Sequence, residues 1–189
     1  MRPSIRDELV KRATQVFYQR GFHATGMDTL VAETGVSKTA MYKHFRTKED
    51  LILAVLRFRD ETLRNWLFRR MEELADTPLG QLRALFDALG EWMAEPGFQG
   101  CMFIKASSEF QSAEHPIHQQ SAEHKRLLKR HFSALAKAAG AEDPNQLANQ
   151  LLLLKEGAIV AAHMKTSQNP ALDAKQAAEV LLLAAIKGL

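Results

Sequence analysis

Cysteine and long apolar runs are scarce in this 189-residue chain, and each scarcity excludes a class of protein. The single cysteine, Cys101, cannot form an intramolecular disulfide, which favours a reducing compartment. Apolar runs such as Val180 to Ile186 are far shorter than the roughly 18 residues that a transmembrane helix needs. The first residues carry no apolar stretch of the signal-peptide kind. We therefore expect a cytoplasmic protein without a membrane partner.

Signatures of catalysis and of metal binding are also missing. The sequence contains no glycine-rich phosphate loop, no dinucleotide fingerprint and no His-Glu-x-x-His motif. His115, His118 and His124 lie close together along the chain, but no cysteine pair gives them a committed ligand spacing. We interpret them as exposed histidines near the start of a helix, with a metal site as the alternative. We expect no enzymatic activity, no cofactor and no metal.

The residues that are present are typical of a folded helical protein. Hydrophobic residues make up 46% and charged residues 25% of the chain, both ordinary values for a soluble domain. Apolar side chains recur with helical spacing nearly everywhere, without a convincing run of alternation. A polar residue before a proline marks helix starts near Pro78, Pro144 and Pro170, and another start is expected near Pro116. The sequence predicts an all-α fold of about nine helices, four of them in the first third.

Caps divide the first third into those four helices. Ser4, Thr25, Ser37 and Thr47 are predicted N-caps because each precedes a helical run, and all but Ser37 have an aspartate three residues later. The first helix ends at Gly21 and the second at Gly35, where glycine takes a left-handed conformation easily. Two short helices therefore follow one longer helix and precede another.

Positive charge is concentrated at one end of the chain. The net charge is only +3, yet residues 1–60 carry 11 Lys and Arg against 7 Asp and Glu. Between Gly35 and Lys48 there are four basic residues and no acidic one. A local basic surface on a neutral body favours a polyanionic partner, with a solvated helix face as the alternative.

Residues 25–51 have the form of a helix-turn-helix, in which the second helix enters the major groove of DNA. The turn is Thr34-Gly35-Val36-Ser37. On a helical wheel, Met41 and Phe45 face the core of the predicted third helix. The opposite face then carries hydroxyl, phenol and cationic side chains that donate to base edges or phosphates, namely Thr39, Tyr42, Lys43 and Arg46. Lys48 lies in the first turn of the next helix, where backbone N–H groups also favour a phosphate.

This stretch resembles the DNA-binding domain of the tetracycline-repressor (TetR) family of bacterial regulators. The resemblance covers roughly the first 50 residues and rests on an ordered set of matches. These are the end of the first helix with the residues just after it, Ala13 to Phe22, then Thr25, the Gly35-Val36-Ser37 turn, Tyr42, Phe45 and Lys48-Glu49-Asp50-Leu51. Ala40 departs from the family pattern, since it lacks a hydroxyl that often reaches a phosphate. Thr39 offers a hydroxyl and a methyl group instead.

The resemblance implies two domains and two kinds of partner. Residues 1–50 are expected to bind double-stranded DNA at a palindromic operator, and residues 51–189 to bind a small-molecule effector and form a homodimer. The DNA-binding side chains are expected to be Thr25, Ser37, Lys38, Thr39, Tyr42, Lys43 and Lys48. The effector pocket is expected among Phe86, Trp92, Met93, Cys101, Phe103, Phe110 and His131. The dimer interface is expected on the last two helices, Pro144 to about Thr166 and Pro170 to Leu189. Its expected residues are Leu151, Leu154, Ala158, Leu181, Leu182 and Ala185.

The function expected from these features is that of a transcriptional repressor released from its operator by a small molecule. Two alternatives are a transcriptional activator and a small-molecule-binding protein whose helix-turn-helix no longer acts on DNA. The sequence identifies neither the effector nor the operator nor the regulated genes. Cys101 is expected to be structural or pocket-lining, with electrophile sensing as the alternative. Lys105 is the cation expected nearest to it.

Overall fold

The computed structural model describes residues 4–187, a range with nine α-helices and no β-strand. The helices are α1 (Ile5–Arg20), α2 (Met27–Thr34), α3 (Lys38–His44), α4 (Lys48–Leu74), α5 (Pro78–Ala94), α6 (Met102–Glu109), α7 (Pro116–Ala138), α8 (Pro144–Met164) and α9 (Pro170–Ala185). The predicted all-α fold is thus confirmed. Leu189, the predicted end of the last helix, lies outside the described residues.

Capping explains where the first four helices begin. Ser4 and Ser37 each accept a hydrogen bond from the backbone N–H three residues on, as expected of an N-cap. Thr47 and Asp50 form a reciprocal capping box before α4. The prediction for Thr25 is wrong, because its buried hydroxyl donates to the carbonyl of Gly21 at 2.6 Å and Gly26 occupies the N-cap position.

Proline sets the start of the later helices as predicted. Helices α5, α7, α8 and α9 begin at Pro78, Pro116, Pro144 and Pro170. The preceding Thr77 and Asp143 accept backbone N–H groups of the first turn of α5 and α8. At the first helical position the backbone N–H has no partner inside the helix, so proline loses no hydrogen bond by lacking it. The fixed φ of proline is also already close to the helical value.

The chain forms two compact units. The first comprises the described residues up to Leu63 together with Met102–His124, so that it includes α1, α2, α3 and α6. Its core contains fully buried Phe17, Phe22, Leu30 and Leu56. The predicted boundary after residue 50 separates the expected DNA-binding residues from the rest of the chain, whereas the two units are defined by their internal contacts. The predicted boundary stays a prediction.

The second unit comprises Arg64–Cys101 and the described residues from Lys125 onward. Helix α9 packs against both α8 and α5 there, and each of the three helices has a fully buried leucine, namely Leu85 on α5, Leu147 on α8 and Leu182 on α9. Within the described part of the chain, no helix combines the length and apolarity that crossing a membrane requires.

Candidate nucleic-acid interface

The turn between α2 and α3 is fixed by local backbone geometry and by one contact with α1. Gly35 has φ +68°, in the left-handed region, and its N–H donates to the carbonyl of Val31. The guanidinium of Arg12 on α1 donates to the carbonyl of Thr34 at 2.7 Å. The two helices therefore leave this turn in a defined direction, as a helix-turn-helix requires.

Helix α3 has one buried and one exposed face, as the helical wheel predicts. Met41 is 1% exposed and Phe45 6% exposed, so these two side chains anchor the helix. Tyr42 is 45% exposed, although a large aromatic side chain is usually buried. Thr39 and Lys43 are exposed beside it. The exposed face thus presents a hydroxyl, a phenol and an ammonium group, which are donors to phosphate and base edges.

Two further predicted DNA-binding residues lie at the start of α3. Ser37 is exposed, and its hydroxyl accepts the N–H of Ala40 as the N-cap. Lys38 Nζ lies 3.1 Å from Asp28 Oδ1, in a pair in which both side chains are largely exposed. Exposed ion pairs of this kind contribute little to stability, so Lys38 is readily available to a phosphate.

Thr25 and Lys48 have other partners than predicted. Lys48 Nζ donates to the carbonyls of Phe22 and Thr25 at 2.9 and 3.1 Å. Thr25 is fully buried, with its hydroxyl on the carbonyl of Gly21. Both side chains therefore hold the loop between α1 and α2, residues 21–26.

The residues predicted to line an effector pocket lie in both units. In the second unit, Phe86, Trp92 and Cys101 are buried, and half-buried Met93 lines a cavity of about 420 Å³ with residues of α8 and α9. His131 stacks on Phe68 with ring centroids 3.6 Å apart. Its Nε2 is buried without a hydrogen-bond partner in the described residues. Burial lowers the pKa of His131, aided by Arg64 and opposed by Glu72, so the ring is neutral at neutral pH.

The other two predicted pocket residues belong to the first unit. Phe103 stacks on His124 with centroids 3.7 Å apart, and His124 Nδ1 lies 2.7 Å from Asp60 Oδ1 in a buried pair. Phe110 stacks with His23. The predicted pocket residues other than Met93 are buried or stack on another ring, and the ligand-binding role of the whole set stays a prediction.

Cys101 belongs to a buried charged cluster that the sequence did not predict. Lys125 Nζ donates to Cys101 Sγ at 3.3 Å and to Glu156 Oε2 at 2.6 Å. Lys155, only 4% exposed, donates to Glu156 Oε1 at 2.9 Å. The expectation that Lys105 is the nearby cation is wrong, because Lys105 Nζ instead donates to the carbonyl of Tyr18.

The ionisation of this cluster is set by burial and by mutual attraction. Burial opposes the charge on Glu156, but Lys155 and Lys125 outweigh it and lower the pKa of Glu156 to about 2. Burial also opposes the charge on Lys125, whereas Cys101 and Glu156 raise its pKa. Burial lowers the pKa of Lys155, and the repulsion from Lys125 adds to this effect. One carboxylate thus neutralises two buried ammonium groups only in part.

Three of the predicted interface residues are buried within a single chain. Leu151 and Leu182 are fully buried, and Ala158 is 5% exposed although it lines the groove between α8 and α9. Their assignment to an interface with a second copy stays a prediction. Leu154, Leu181 and Ala185 are half-buried, and their assignment stays a prediction.

A different set of side chains on α8 and α9 is apolar and exposed. Its members follow one another at helical spacings of three, four, seven or eight residues, and they are Leu153, Val160 and Met164 on α8 with Leu172, Val180 and Leu183 on α9. We call it the α8/α9 apolar face. Helical periodicity predicted apolar stripes on both helices but did not distinguish the side packed against α5 from the side left open.

Two family models match the chain. The model of bacterial regulatory proteins of the tetR family matches residues 9–55, which contain the helix-turn-helix. The model of the tetracyclin repressor-like C-terminal domain matches residues 78–178, which is more than half of the chain. Together they span the exposed α3 face and most of the second unit.

Individual proteins are similar to this chain in the same way. The HTH-type transcriptional activator FasR of Mycolicibacterium smegmatis is 35% identical over 52% of this chain and 44% of its own length. The HTH-type transcriptional repressor KstR2 of the same organism is 36% identical over 45% of this chain and 41% of its own. The chain thus matches less than half the length of each of these two relatives.

A solved structure extends the likeness to nearly the whole chain. The crystal structure of SCO4454, a TetR-family transcriptional regulator from Streptomyces coelicolor, superposes with a TM-score of 0.87 at 28% identity and covers 95% of both chains. The helix-turn-helix, the match of the C-terminal model and this shared fold lead to one conclusion. The chain belongs to the TetR family of bacterial regulatory proteins.

Proposed function

We propose that this protein is a homodimeric, cytoplasmic DNA-binding transcriptional regulator, and specifically a repressor that a small molecule releases from a palindromic operator. The observation that carries the proposal is the exposed face of α3. Tyr42 is nearly half exposed between Thr39 and Lys43, while Met41 on the opposite side is buried. A helix anchored on one side and rich in donors on the other suits the major groove.

Dimerisation supplies the second half-site. The α8/α9 apolar face leaves Leu153 72%, Met164 65% and Val180 66% exposed in a single chain. An apolar groove of about 310 Å³ runs between the two helices and is bordered by Leu153, Gly157 and Ala177. Extended apolar surface on a soluble protein marks an interaction site, and a two-fold axis places the same face of a second copy against it.

Effector binding is proposed for the region of His131. A buried imidazole nitrogen without a hydrogen-bond partner is costly, and a polar group on a ligand would satisfy it. The ligand reduces operator affinity only if it prefers a dimer in which the recognition helices no longer match successive major grooves. By linkage, operator DNA then weakens the binding of the ligand by the same factor.

DNA binding is tested by selecting sequences from random duplex DNA with the full chain and measuring affinity by fluorescence anisotropy. A palindromic sequence with half-sites about one helical turn apart is the expected product. Tyr42→Ala combined with Lys43→Ala should weaken binding about tenfold or more, since groove contacts contribute roughly 1–3 kcal/mol each. Lys137→Ala, an exposed lysine near the end of α7, is the matched control. Equal affinity of the double variant and the wild type contradicts the proposal.

Dimerisation is tested by sedimentation equilibrium at micromolar concentration. Val180→Glu should convert the dimer into a monomer, because a charge on the α8/α9 apolar face is buried without a partner on association. Gln119→Glu introduces the same charge at an exposed site of α7 and should leave the dimer intact. A wild-type monomer that binds a single half-site tightly argues against this part of the proposal.

The sign of regulation needs a separate measurement. Activation is the second candidate, since the relative FasR is named an activator whereas KstR2 is named a repressor. Transcription in vitro from a promoter carrying the selected operator should fall when the protein is added. A rise in transcript would establish the activator instead.

A further inference from the structure

Helix α6 contacts the segment that leads into the helix-turn-helix, although 87 positions separate Phe22 from Glu109. The side chain of Glu109, the last residue of α6, reaches the loop 21–26 that leads from α1 into α2. Its carboxylate accepts the N–H of Phe22 at 2.9 and 3.1 Å and also the N–H of His23. One ionised side chain thus holds two successive backbone amides, an arrangement that gives strong hydrogen bonds.

The surrounding contacts fix this arrangement from several directions. His23 Nε2 donates to the carbonyl of Glu109 at 3.0 Å, and the His23 ring stacks on Phe110 with centroids 4.6 Å apart. One turn earlier on α6, Lys105 Nζ donates to the carbonyl of Tyr18 at 3.2 Å and lies over the Tyr18 ring. Helix α6 therefore places a cation at the carbonyl end of α1 and an anion at the amides beyond it, which matches the charge of each group.

Close approach is possible because residue 21 is glycine. Gly21 has φ +81°, and a Cβ added there would lie 3.0 Å from Glu109 Oε1. On the other side, Lys48 of α4 holds the carbonyls of Phe22 and Thr25. Loop 21–26 is thus held by its amides through α6 and by its carbonyls through α4, immediately before α2 begins at Met27.

We infer that Glu109 is a positioning residue for operator recognition, which holds loop 21–26 so that α2 and α3 keep the orientation the operator requires. This inference rests on the proposed function. In this role Glu109 does not contact DNA but acts through the backbone amides of Phe22 and His23. Release of the carboxylate lets the loop move, so displacement of α6 lowers specific affinity without removing any group from the DNA-reading face.

The test compares Glu109→Ala and Glu109→Gln with the wild-type full chain. Operator affinity is measured on the selected sequence and on a random duplex of equal length. Hydrogen exchange is followed by mass spectrometry in peptides that cover residues 21–26. Glu114→Ala, which removes an exposed carboxylate between α6 and α7, is the matched control.

Glu109→Ala should weaken operator binding about tenfold, the effect of losing one or two charge-assisted hydrogen bonds. Its affinity for random DNA should change less than twofold, because the cations of α3 remain. Exchange in residues 21–26 should accelerate at least tenfold. Glu109→Gln keeps one acceptor oxygen and should show a smaller loss in the same direction, and it decides the question if the alanine variant does not fold.

Three results overturn the inference: unchanged operator affinity in the glutamine variant, unchanged exchange in residues 21–26, or an equal loss of affinity for operator and random DNA. The last would mean that Glu109 only stabilises the fold. Failure of the proposed function looks different, since the wild-type chain would then select no sequence at all.

Discussion

Lysine has opposite roles on α3 and in the second unit. Lys43 is exposed on a helix whose first turn carries no acidic residue, so its charge stays available to a polyanion. Lys125 and Lys155 are largely buried around Glu156, whose carboxylate both ammonium groups contact, and Lys125 also donates to Cys101. The difference teaches that a basic residue indicates a nucleic-acid partner only when it is exposed and is not held by a buried carboxylate.

The largest expected effect comes from breaking the buried cluster. Glu156→Gln leaves Lys125 and Lys155 without their carboxylate and should lower the free energy of unfolding by about 3–5 kcal/mol at pH 7. Urea unfolding at fixed protein concentration measures it. Asp87→Asn breaks the exposed pair with Lys175 and should cost less than about 1 kcal/mol. Equal losses in the two variants would show that burial does not distinguish these pairs.

The same cluster should make stability depend on acid pH. The pKa of Glu156 is about 2 in the folded protein, below its ordinary value of about 4.3 when unfolded. Between these values the unfolded state binds more protons, so the stabilisation is complete above about pH 4.5 and is lost as pH falls toward 2. Unfolding curves from pH 5 to pH 3 should converge for wild type and Glu156→Gln. Parallel curves would contradict this assignment.

The next effect separates the packed side of α9 from its open side. Leu182→Ala should cost about 2–5 kcal/mol, because the side chain is fully buried and leaves a cavity. Val180→Ala, two residues away and 66% exposed, should change the stability of the protomer by less than about 0.5 kcal/mol. Urea unfolding at several protein concentrations distinguishes protomer stability from dimerisation. If Val180→Ala lowered the free energy of unfolding more than Leu182→Ala at every concentration, Val180 and not Leu182 would lie on the packed side of α9.

A smaller effect is expected in the loop held by Glu109. Gly21→Ala should cost about 1–3 kcal/mol, since φ +81° is strained for alanine and Glu109 Oε1 must move. Gly97→Ala has φ +89° with open space around it and measures the backbone strain alone. Gly26→Ala has ordinary φ and open space, and should cost no more than about 1 kcal/mol through a weaker N-cap. If Gly21→Ala costs no more than Gly97→Ala, the contact with Glu109 is not tight.

The smallest effect distinguishes two lysines that the sequence treated alike. Lys43→Ala should reduce the slope of log affinity against log salt by about one phosphate contact. Lys48→Ala should weaken operator binding without changing that slope, because its ammonium holds the carbonyls of Phe22 and Thr25. Anisotropy titrations at four salt concentrations compare the two. If Lys48→Ala also reduced the slope by about one, Lys48 would contact a phosphate as the sequence predicts.

Local signals made the helices and the recognition face predictable. Pro78, Pro144 and Pro170 start helices because proline favours the first helical position, a property of the residue itself. The separation of Met41 from Tyr42 on α3 follows from helical periodicity alone. Thr25 was misassigned because a carbonyl four residues earlier competed for its hydroxyl, which local pattern does not reveal.

The sequence by itself determined the all-α fold, the helix-turn-helix and the donors on its exposed face, since these depend on residues within one or two turns of each other. Only the tertiary structure decided which apolar stripe of α8 and α9 is open, because that depends on where α5 packs. The tertiary structure also decided two hydrogen bonds between residues far apart in the chain. Lys125 donates to Cys101, 24 positions away, and the backbone amide of Phe22 donates to Glu109, 87 positions away. Such pairs carry no local pattern, because folding alone brings them within hydrogen-bonding distance.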